Sequence, residues 1–498
     1  MSGALGVVRP RLGLVLVVLV CSVFALRALM LIDATGLWSD ELYTVGKSFQ
    51  PSYAALLAML RLDTHPPLYY SLVWIWGQLL PASAVTLRLF SWLAYLAGGL
   101  LITAQAGALA RRWSLARPRH AMAAAALMAF CSPYPVRFAI EGKGYALLVV
   151  LVALAWWWRQ RHHWLGYGLS VVLAALTHYY GLFLFAAAAV WDGWRGRRRA
   201  SLVAAVGLVP ALLWMVQASA YLMRSGTGAW IGRPDFALLE DTLARALGLW
   251  PLPKLALLLL VAVVVARAGL QASPPDQKPP SESSGLADRS GLTPSLLMAC
   301  GVVVISFWKP LAFSRYFVVL LPALIPWLAV RLSALPLSQR GRGVVALAAS
   351  ALVLSWWWHS FGELDPAVNG HGAREADQFQ LVSRALAAEP HRFSRRERLF
   401  NLSDRMEAAA GRMVQPEVPW GGSSALDQRL AAAPLPAQLW LADSGDVEGA
   451  WPRLKALRRR AEAAGYHCKK AEIPGSGSAP YAQVQQCQLE VPLHSEHR

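Results

Sequence analysis

Charge is the scarce ingredient of this sequence. Only 15% of its 498 residues are charged while 56% are hydrophobic, and apolar runs of about 20 residues, the length that crosses a roughly 30 Å hydrocarbon core, recur through the first 360 positions. The chain reads as a polytopic membrane protein. Its formal charge of +18 does not signal nucleic acid, because residues 361–498 hold 17 Lys/Arg and 17 Asp/Glu and the whole excess lies among the membrane segments. Basic loops there are topology signals.

Other features are missing too. Leu12 to Ile32 is long for a signal peptide and no small-residue cleavage site precedes "DATGLWSD", so it reads as a retained first helix. No glycine-rich phosphate loop is present, so an aqueous nucleotide-sugar site is not expected. An inverted internal repeat of the kind transporters carry is also absent. Cysteine is limited to five positions, of which Cys21, Cys131 and Cys300 fall in apolar segments as small buried thiols. Cys468 and Cys487 flank the turn-rich "IPGSGSAPY" and would form a hairpin disulfide if the tail lies in an oxidising compartment.

The apolar runs predict about twelve spans, near 12–32, 67–81, 84–110, 120–136, 144–158, 164–178, 180–193, 200–220, 253–270, 293–309, 316–332 and 343–360. With the N-terminus in the cytoplasm, "RRWSLARPR" (111–119), "RQRHH" (159–163), "RGRRR" (195–199), a Pro/Ser-rich linker at 271–292 and "RLSALPLSQRGR" (331–342) all fall on that side. The linker has almost no large apolar residues and reads as disordered. Residues 1–360 thus form a transmembrane domain with a first outer loop at about 33–66. Residues 361–498 emerge outside as a small extracytoplasmic α/β domain: a strand at 437–442, a helix at 452–464 ending at Gly465, then two strands around "YHCKKAEI" and "YAQVQQCQLEV". The protein is expected in the plasma (inner) membrane.

This topology sorts the acids. Of twelve Asp/Glu in residues 1–360, eight (Asp33, Asp40, Glu41, Asp63, Glu141, Asp235, Glu240, Asp241) fall on the outer side, four (Asp192, Asp276, Glu282, Asp288) on the cytoplasmic side and none at mid-span. A transporter predicts ionisable groups near mid-membrane. Asp40 and Glu41 in "GLWSDELYTV" admit a bland account, in which Ser39 caps a short surface helix whose first turn favours acids. Basic and aromatic groups gather at the same outer level: Asp63 and His65 in "RLDTHPPLYY", Arg88 in "LRLF", Arg137, Glu141, Lys143 and Tyr145 in "PYPVRFAIEGKGYALL", His178 and Tyr179 in "LTHYYGLFLF", and Lys309, Arg315 and Tyr316 in "FWKPLAFSRYF". Singly these are snorkelling cations and interfacial tyrosines. Together, outer cations violate the positive-inside bias and call for a compensating anion such as a phosphate headgroup.

"LWSDE", "HPPLYYSLVWIW", "TLRLFSWL", "RFAIEGKGYAL", "THYYGLFLF" and "KPLAFSRYFVVLLPAL", in that order over residues 10–360, resemble the C-type fold membrane glycosyltransferases of the protein O-mannosyltransferase and aminoarabinose-transferase-like group. The resemblance implies a mainly α bundle, a sugar donor carried on a polyprenyl phosphate, a lipid, glycan or protein acceptor, and an acidic residue in the first outer loop that serves the acceptor. That assigns Asp40 as general base with Glu41 beside it. Arg88, Arg137, Glu141, Lys143, Tyr145, Lys309, Arg315 and Tyr316 become donor-phosphate or substrate contacts, and Asp63, His65, His178 and Tyr179 further site candidates. The family often has Arg where Lys143 stands, and its tails differ freely. Membrane lipids are the remaining expected partners. No cofactor is expected; a divalent ion would use Glu41, His65 or His178, but no metal-binding spacing supports one. A ligase or polymerase using a diphosphate-linked glycan is the nearest alternative enzyme, and a lipid or sugar transporter the alternative of another class. Loop charge predicts that a reporter fused after Arg498 is active only in the extracytoplasmic compartment; a cytoplasmic-type signal from that fusion overturns the topology.

Overall fold

The computed structural model describes residues 9–115, 118–132, 137–224, 228, 231–243, 247, 285–334, 379–444, 447–473 and 482–490. The chain divides into two compact units: residues 1–30, 51–75 and 88–362 form the first, and residues 31–50, 76–87 and 363–498 the second. The expected spans near 253–270 and 343–360, the linker up to residue 284 and the turn at 474–481 lie outside the described residues.

Each of the other ten expected spans coincides with a helix. These are α1 (Arg9–Leu31), α4 (Leu68–Leu79), α5 (Ala84–Arg112), α6 (Pro118–Cys131), α7 (Tyr145–Gln160), α8 (Trp164–Thr177), α9 (Tyr179–Trp194), α10 (Arg198–Gln217), α11 (Leu292–Ile305) and α12 (Leu321–Ser333), the last entered through a 3₁₀ turn at Ser314–Leu320. The shorter α2 (Ser39–Ser48) and α3 (Tyr53–Leu60) fill the first loop. Among the described residues four helical stretches, Gly13–Leu31, Ala84–Arg112, Arg198–Gln217 and Ser314–Ser333, are long and apolar enough to cross a membrane by length and composition. Leu14, Leu19 and Leu26 of α1 and Leu202, Val206 and Leu213 of α10 are exposed. Such faces are costly in water and at home in hydrocarbon, while the helical backbone satisfies its own polar groups.

Within the first unit α7 packs on α8, α8 on α9 and α10, α9 on α10 and α11, and α6 on α12. Small residues let the helices approach: Ala155, Ala174, Ala175, Ala188, Ala204 and Ala211 are fully buried around Trp156, Tyr167 and Phe185. The connectivity sends Tyr145, Thr177 and Tyr179 to one end of the bundle and Gln160, Trp164 and Trp194 to the other. A closed ion network holds that second end. Asp192 accepts from Arg159 Nε at 2.9 Å and Arg197 Nη1 at 3.1 Å. Asp288, brought in by the short helix Leu286–Ser290, accepts from Arg197 Nη1 at 3.0 Å and Trp191 Nε1 at 2.6 Å.

The second unit contains a four-stranded sheet of order β1-β2-β4-β3, made of β1 (Arg392–Phe393), β2 (Gln438–Ser444), β3 (Tyr466–Ala471) and β4 (Ala482–Leu489). β1 runs parallel to β2, whereas β4 is antiparallel to both β2 and β3. Helices α13 (Glu397–Ala409), α14 (Ser423–Ala431) and α15 (Val447–Ala463) accompany it. Leu454, Leu457 and Ala461 of α15 bury against Leu439, Leu441 and Tyr466. Cys468 and Cys487 stand directly opposite in the β3–β4 register and are bonded. The first-loop helix α2 packs on α13, inside this unit.

Removing one member of the ion network leaves buried charge without its partner, which costs about 3–5 kcal/mol. Asp192→Ala is therefore expected to lower the melting temperature of the protein in detergent sharply, and an unchanged melting curve would show that the network contributes nothing.

Candidate active site

The candidate residues divide between the two units. Asp40 and Glu41 belong to the second; all the others belong to the first.

In the first unit the site is built around a break of one residue. α8 stops at Thr177 and α9 starts at Tyr179, with His178 extended between them (φ −156°, ψ 140°) as the last cap of one helix and the first cap of the next. Its Nδ1 accepts the Tyr180 backbone N–H at 3.1 Å, and its carbonyl accepts from Gly181 N at 2.8 Å. An imidazole nitrogen that caps a helix is the unprotonated one, so Nε2 carries the remaining hydrogen-bonding capacity. The break depends on Gly181: a Cβ there would lie 2.4 Å from the Ala174 carbonyl oxygen. No side chain fits at that distance.

Aromatic rings converge on His178. Ring centroids lie 4.9 Å away for Tyr316, 5.6 Å for Tyr180, 5.9 Å for Tyr145 and 6.2 Å for His65. Tyr180 donates its hydroxyl to the Leu311 carbonyl at 2.9 Å, and Ser306 Oγ accepts from Leu311 N at 3.1 Å and Ala312 N at 2.7 Å. These bonds fold the segment after α11 back over the helix ends. Lys309 donates to the Leu222 carbonyl at 2.7 Å, closing the end of the short helix Ser219–Leu222, and the Arg315 guanidinium sits 4.7 Å over the Phe313 ring. His65 enters from the α3–α4 connection. Its Nδ1 is 2.7 Å and its backbone N 3.1 Å from Asp63 Oδ1, an arrangement that orients the ring. His65, His178, Tyr179, Tyr180, Lys309 and Tyr316 line a cavity of about 290 Å³, whose other walls include Phe183, Met215, Leu222 and Met223. It is an apolar chamber with a few converging polar groups, the usual composition of a small-molecule site.

Beside it lies a buried cationic group. Arg137 (3% exposed) precedes a 3₁₀ turn at Phe138–Ile140, and Glu141 (1%) and Lys143 (6%) follow in a tight turn closed by Lys143 N to the Glu141 carbonyl at 2.7 Å. Arg88 (1%) lies near the start of α5, and Ser91, three residues on and thus on the same face, is 3.5 Å from the Lys143 carbonyl. The next residue, Gly144, has its Cβ position 3.2 Å from Tyr69 Cγ and 3.4 Å from Thr177 Cγ2, which ties this turn to the His178 break. Three cations and one acid are thus buried where charge is expensive.

In the second unit Asp40 and Glu41 occupy the first turn of α2, where carboxylates meet the positive end of the helix dipole. Trp38 holds the capping position but its side chain does not cap the helix, and Ser39 is already helical. The helix is no surface element: Glu41, Leu42, Thr44, Val45, Lys47 and Ser48 are buried while Asp40 is half-buried. Among the described residues no three His, Cys, Asp or Glu side chains gather to hold a metal ion.

No family model matches the sequence, and no curated protein does. Among solved structures, ArnT from Cupriavidus metallidurans in the apo state aligns over 95% of this chain and 97% of its own, at 15% identity and a TM-score of 0.55. The same ArnT bound to undecaprenyl phosphate aligns with the same coverage, at 14% identity and a TM-score of 0.54. The chain has the C-type glycosyltransferase fold. The likeness runs through both units and bears out the mainly helical bundle that the ordered motifs imply, with the small C-terminal sheet that the strand pattern of the tail predicts.

The tightness at Gly181 gives a local test. Gly181→Val is expected to separate α8 from α9 and shift the His178 ring, lowering stability by about 1–3 kcal/mol as overpacking does. A variant with native melting temperature and native His178 imidazole resonances would remove the glycine from the account of the site.

Proposed function

We propose that the chain is a membrane glycosyltransferase that moves a sugar from a polyprenyl-phosphate donor to a hydroxyl of a lipid, glycan or protein acceptor, at the extracytoplasmic face of the inner membrane. The observation that carries this reading is the fold shared along 95% of the chain with an ArnT that holds undecaprenyl phosphate. The buried cations Arg88, Arg137 and Lys143 support it, since guanidinium and ammonium groups are the side chains that bind phosphate.

The chemistry follows from the groups present. The acceptor oxygen attacks the anomeric carbon, the bond from that carbon to the phosphate oxygen breaks, and the phosphate leaves with the bonding pair. Cations that meet the phosphate stabilise the charge that grows on it. Asp40 takes the acceptor proton as general base, and Glu41, buried next to it, orients Asp40 or the acceptor. The bonded pair Cys468 and Cys487 favours an oxidising compartment for the C-terminal unit and agrees with the outward side that loop charge predicts.

A panel of undecaprenyl-phosphate sugars supplied to the purified protein in lipid nanodiscs tests the reading: one of them loses its sugar and yields undecaprenyl phosphate, and a panel left intact overturns it. Two variants separate binding from chemistry. A charge pair about 4 Å apart near a protein surface is worth roughly 4 kcal/mol before desolvation, so Lys143→Ala weakens undecaprenyl phosphate binding and slows transfer together. Asp40→Asn keeps shape but accepts no proton. Transfer falls by roughly 10²–10⁴-fold, the usual worth of a general base, with undecaprenyl phosphate affinity retained. Near-normal turnover in Asp40→Asn would move the proton acceptor elsewhere, to the Asp63-oriented His65 first.

A further inference from the structure

The segment that carries Asp40 is held by residues more than 330 positions away in the chain. Before α2, a Cβ on Gly36 would lie 2.1 Å from Gln380 Cδ, so that backbone presses directly on the Gln380 side chain. Near the other end of α2, a Cβ on Gly46 would lie 2.9 Å from Cδ1 of Leu402, a buried residue of α13. Ahead of both, Arg412 Nη1 donates to Asp33 Oδ2 at 2.9 Å, while its Nε and Nη2 donate to Glu407 at 3.0 and 3.2 Å. Glu407 is buried and belongs to α13 as well. A ten-residue helix has little stability of its own in water. These contacts hold α2, with glycine at two of the points where C-terminal side chains meet the segment.

We propose that Gln380, Leu402 and Arg412 are positioning residues that clamp the first-loop helix and set the direction of the Asp40 carboxylate. The C-terminal domain then acts in the transfer step itself without touching substrate. The inference rests on the reading of Asp40 as general base. Its physical basis is that a base must meet the acceptor hydroxyl within hydrogen-bond reach, and that a displacement of about 1 Å can cost on the order of 10²-fold in rate.

The test uses the full-length protein in nanodiscs with the undecaprenyl-phosphate sugar that it turns over, and undecaprenyl phosphate itself as the binding probe. Gly46→Val pushes α2 off Leu402, and Gly46→Val with Leu402→Ala restores the space. The expected result is a fall in kcat of about 10²-fold in the single variant, with donor KM and undecaprenyl phosphate affinity within about twofold of native, and recovery of most of the loss in the double variant. The pair Gly36→Ala and Gly36→Ala with Gln380→Ala reads the same relation at the other contact, should Gly46→Val fail to fold. Native kcat in both single variants, beside an inactive Asp40→Asn, overturns the clamp and leaves the base standing. Loss of undecaprenyl phosphate binding in step with kcat also overturns it, because the damage is then general. An active Asp40→Asn removes the base, and the clamp with it.

Discussion

Hydrocarbon accepts charge only where another charge or a ligand answers it, and the first unit of this protein obeys that constraint in two ways. At one end of its bundle Arg159, Arg197, Asp192 and Asp288 answer one another, two cations to two acids, with Trp191 completing the hydrogen bonds. A balanced network of this kind locks helices together. At the other end Arg88, Arg137, Glu141 and Lys143 are buried near the start of α5 and in the turn before α7. Each buried cation costs several kcal/mol to desolvate, so in the proposed reading a donor phosphate that meets these cations is itself held firmly.

Helix ends are where this bundle can do chemistry at all. Mid-span backbone is consumed by its own hydrogen bonds, so polar groups become available only where helices start and stop. The His178 break concentrates that resource. One residue ends α8 and begins α9, the imidazole caps the new helix through Nδ1, and the missing side chain of Gly181 lets the two helix ends meet. Lys309 shows the same economy from another direction, because its ammonium closes the carbonyl end of Ser219–Leu222 while its side chain lines the cavity. A cation at a helix end can thus be both a cap and a wall of the cavity.

Apolar length made the spans legible: all ten predicted spans that fall on described residues are helices, with ends displaced by a few residues. The sheet of the tail was legible for a related reason, since "AQLWLA" and "YAQVQQCQLEV" alternate as strands do and the paired cysteines sit opposite each other. Three features left weaker marks. β1 has two residues, too few for any pattern, and pairs parallel with a strand 46 positions later. Helix α13 spaces Leu399, Leu402 and Met406 among arginines and acids, so its apolar face is narrow. The grouping of residues 31–50 with the C-terminal unit is a long-range packing fact, and it turns on single atoms such as Leu402 Cδ1 against Gly46. Of the candidate site, the residue types and their helix-end positions could be read, as could the break at His178. The Asp63–His65 pairing and the capping role of Lys309 depend on loop geometry that periodicity does not encode.

The chain order and the folded order thus disagree at one informative place. The first half of the loop, residues 31–50 with α2, follows the first membrane helix directly, yet it folds as part of the unit made mostly of residues 363–498, while its second half and the candidate phosphate-binding cations fold with the membrane helices. A sugar transfer of the proposed kind has two halves with different demands. Holding a lipid-borne phosphate needs fixed cations at the ends of membrane helices, and removing a proton from a hydroxyl needs a carboxylate aimed at an acceptor that approaches from water. In the proposed reading the carboxylate therefore belongs to the part of the chain that residues 363–498 pack, and the phosphate-binding cations to the part built of membrane helices, so each of the two demands is met by packing of its own kind.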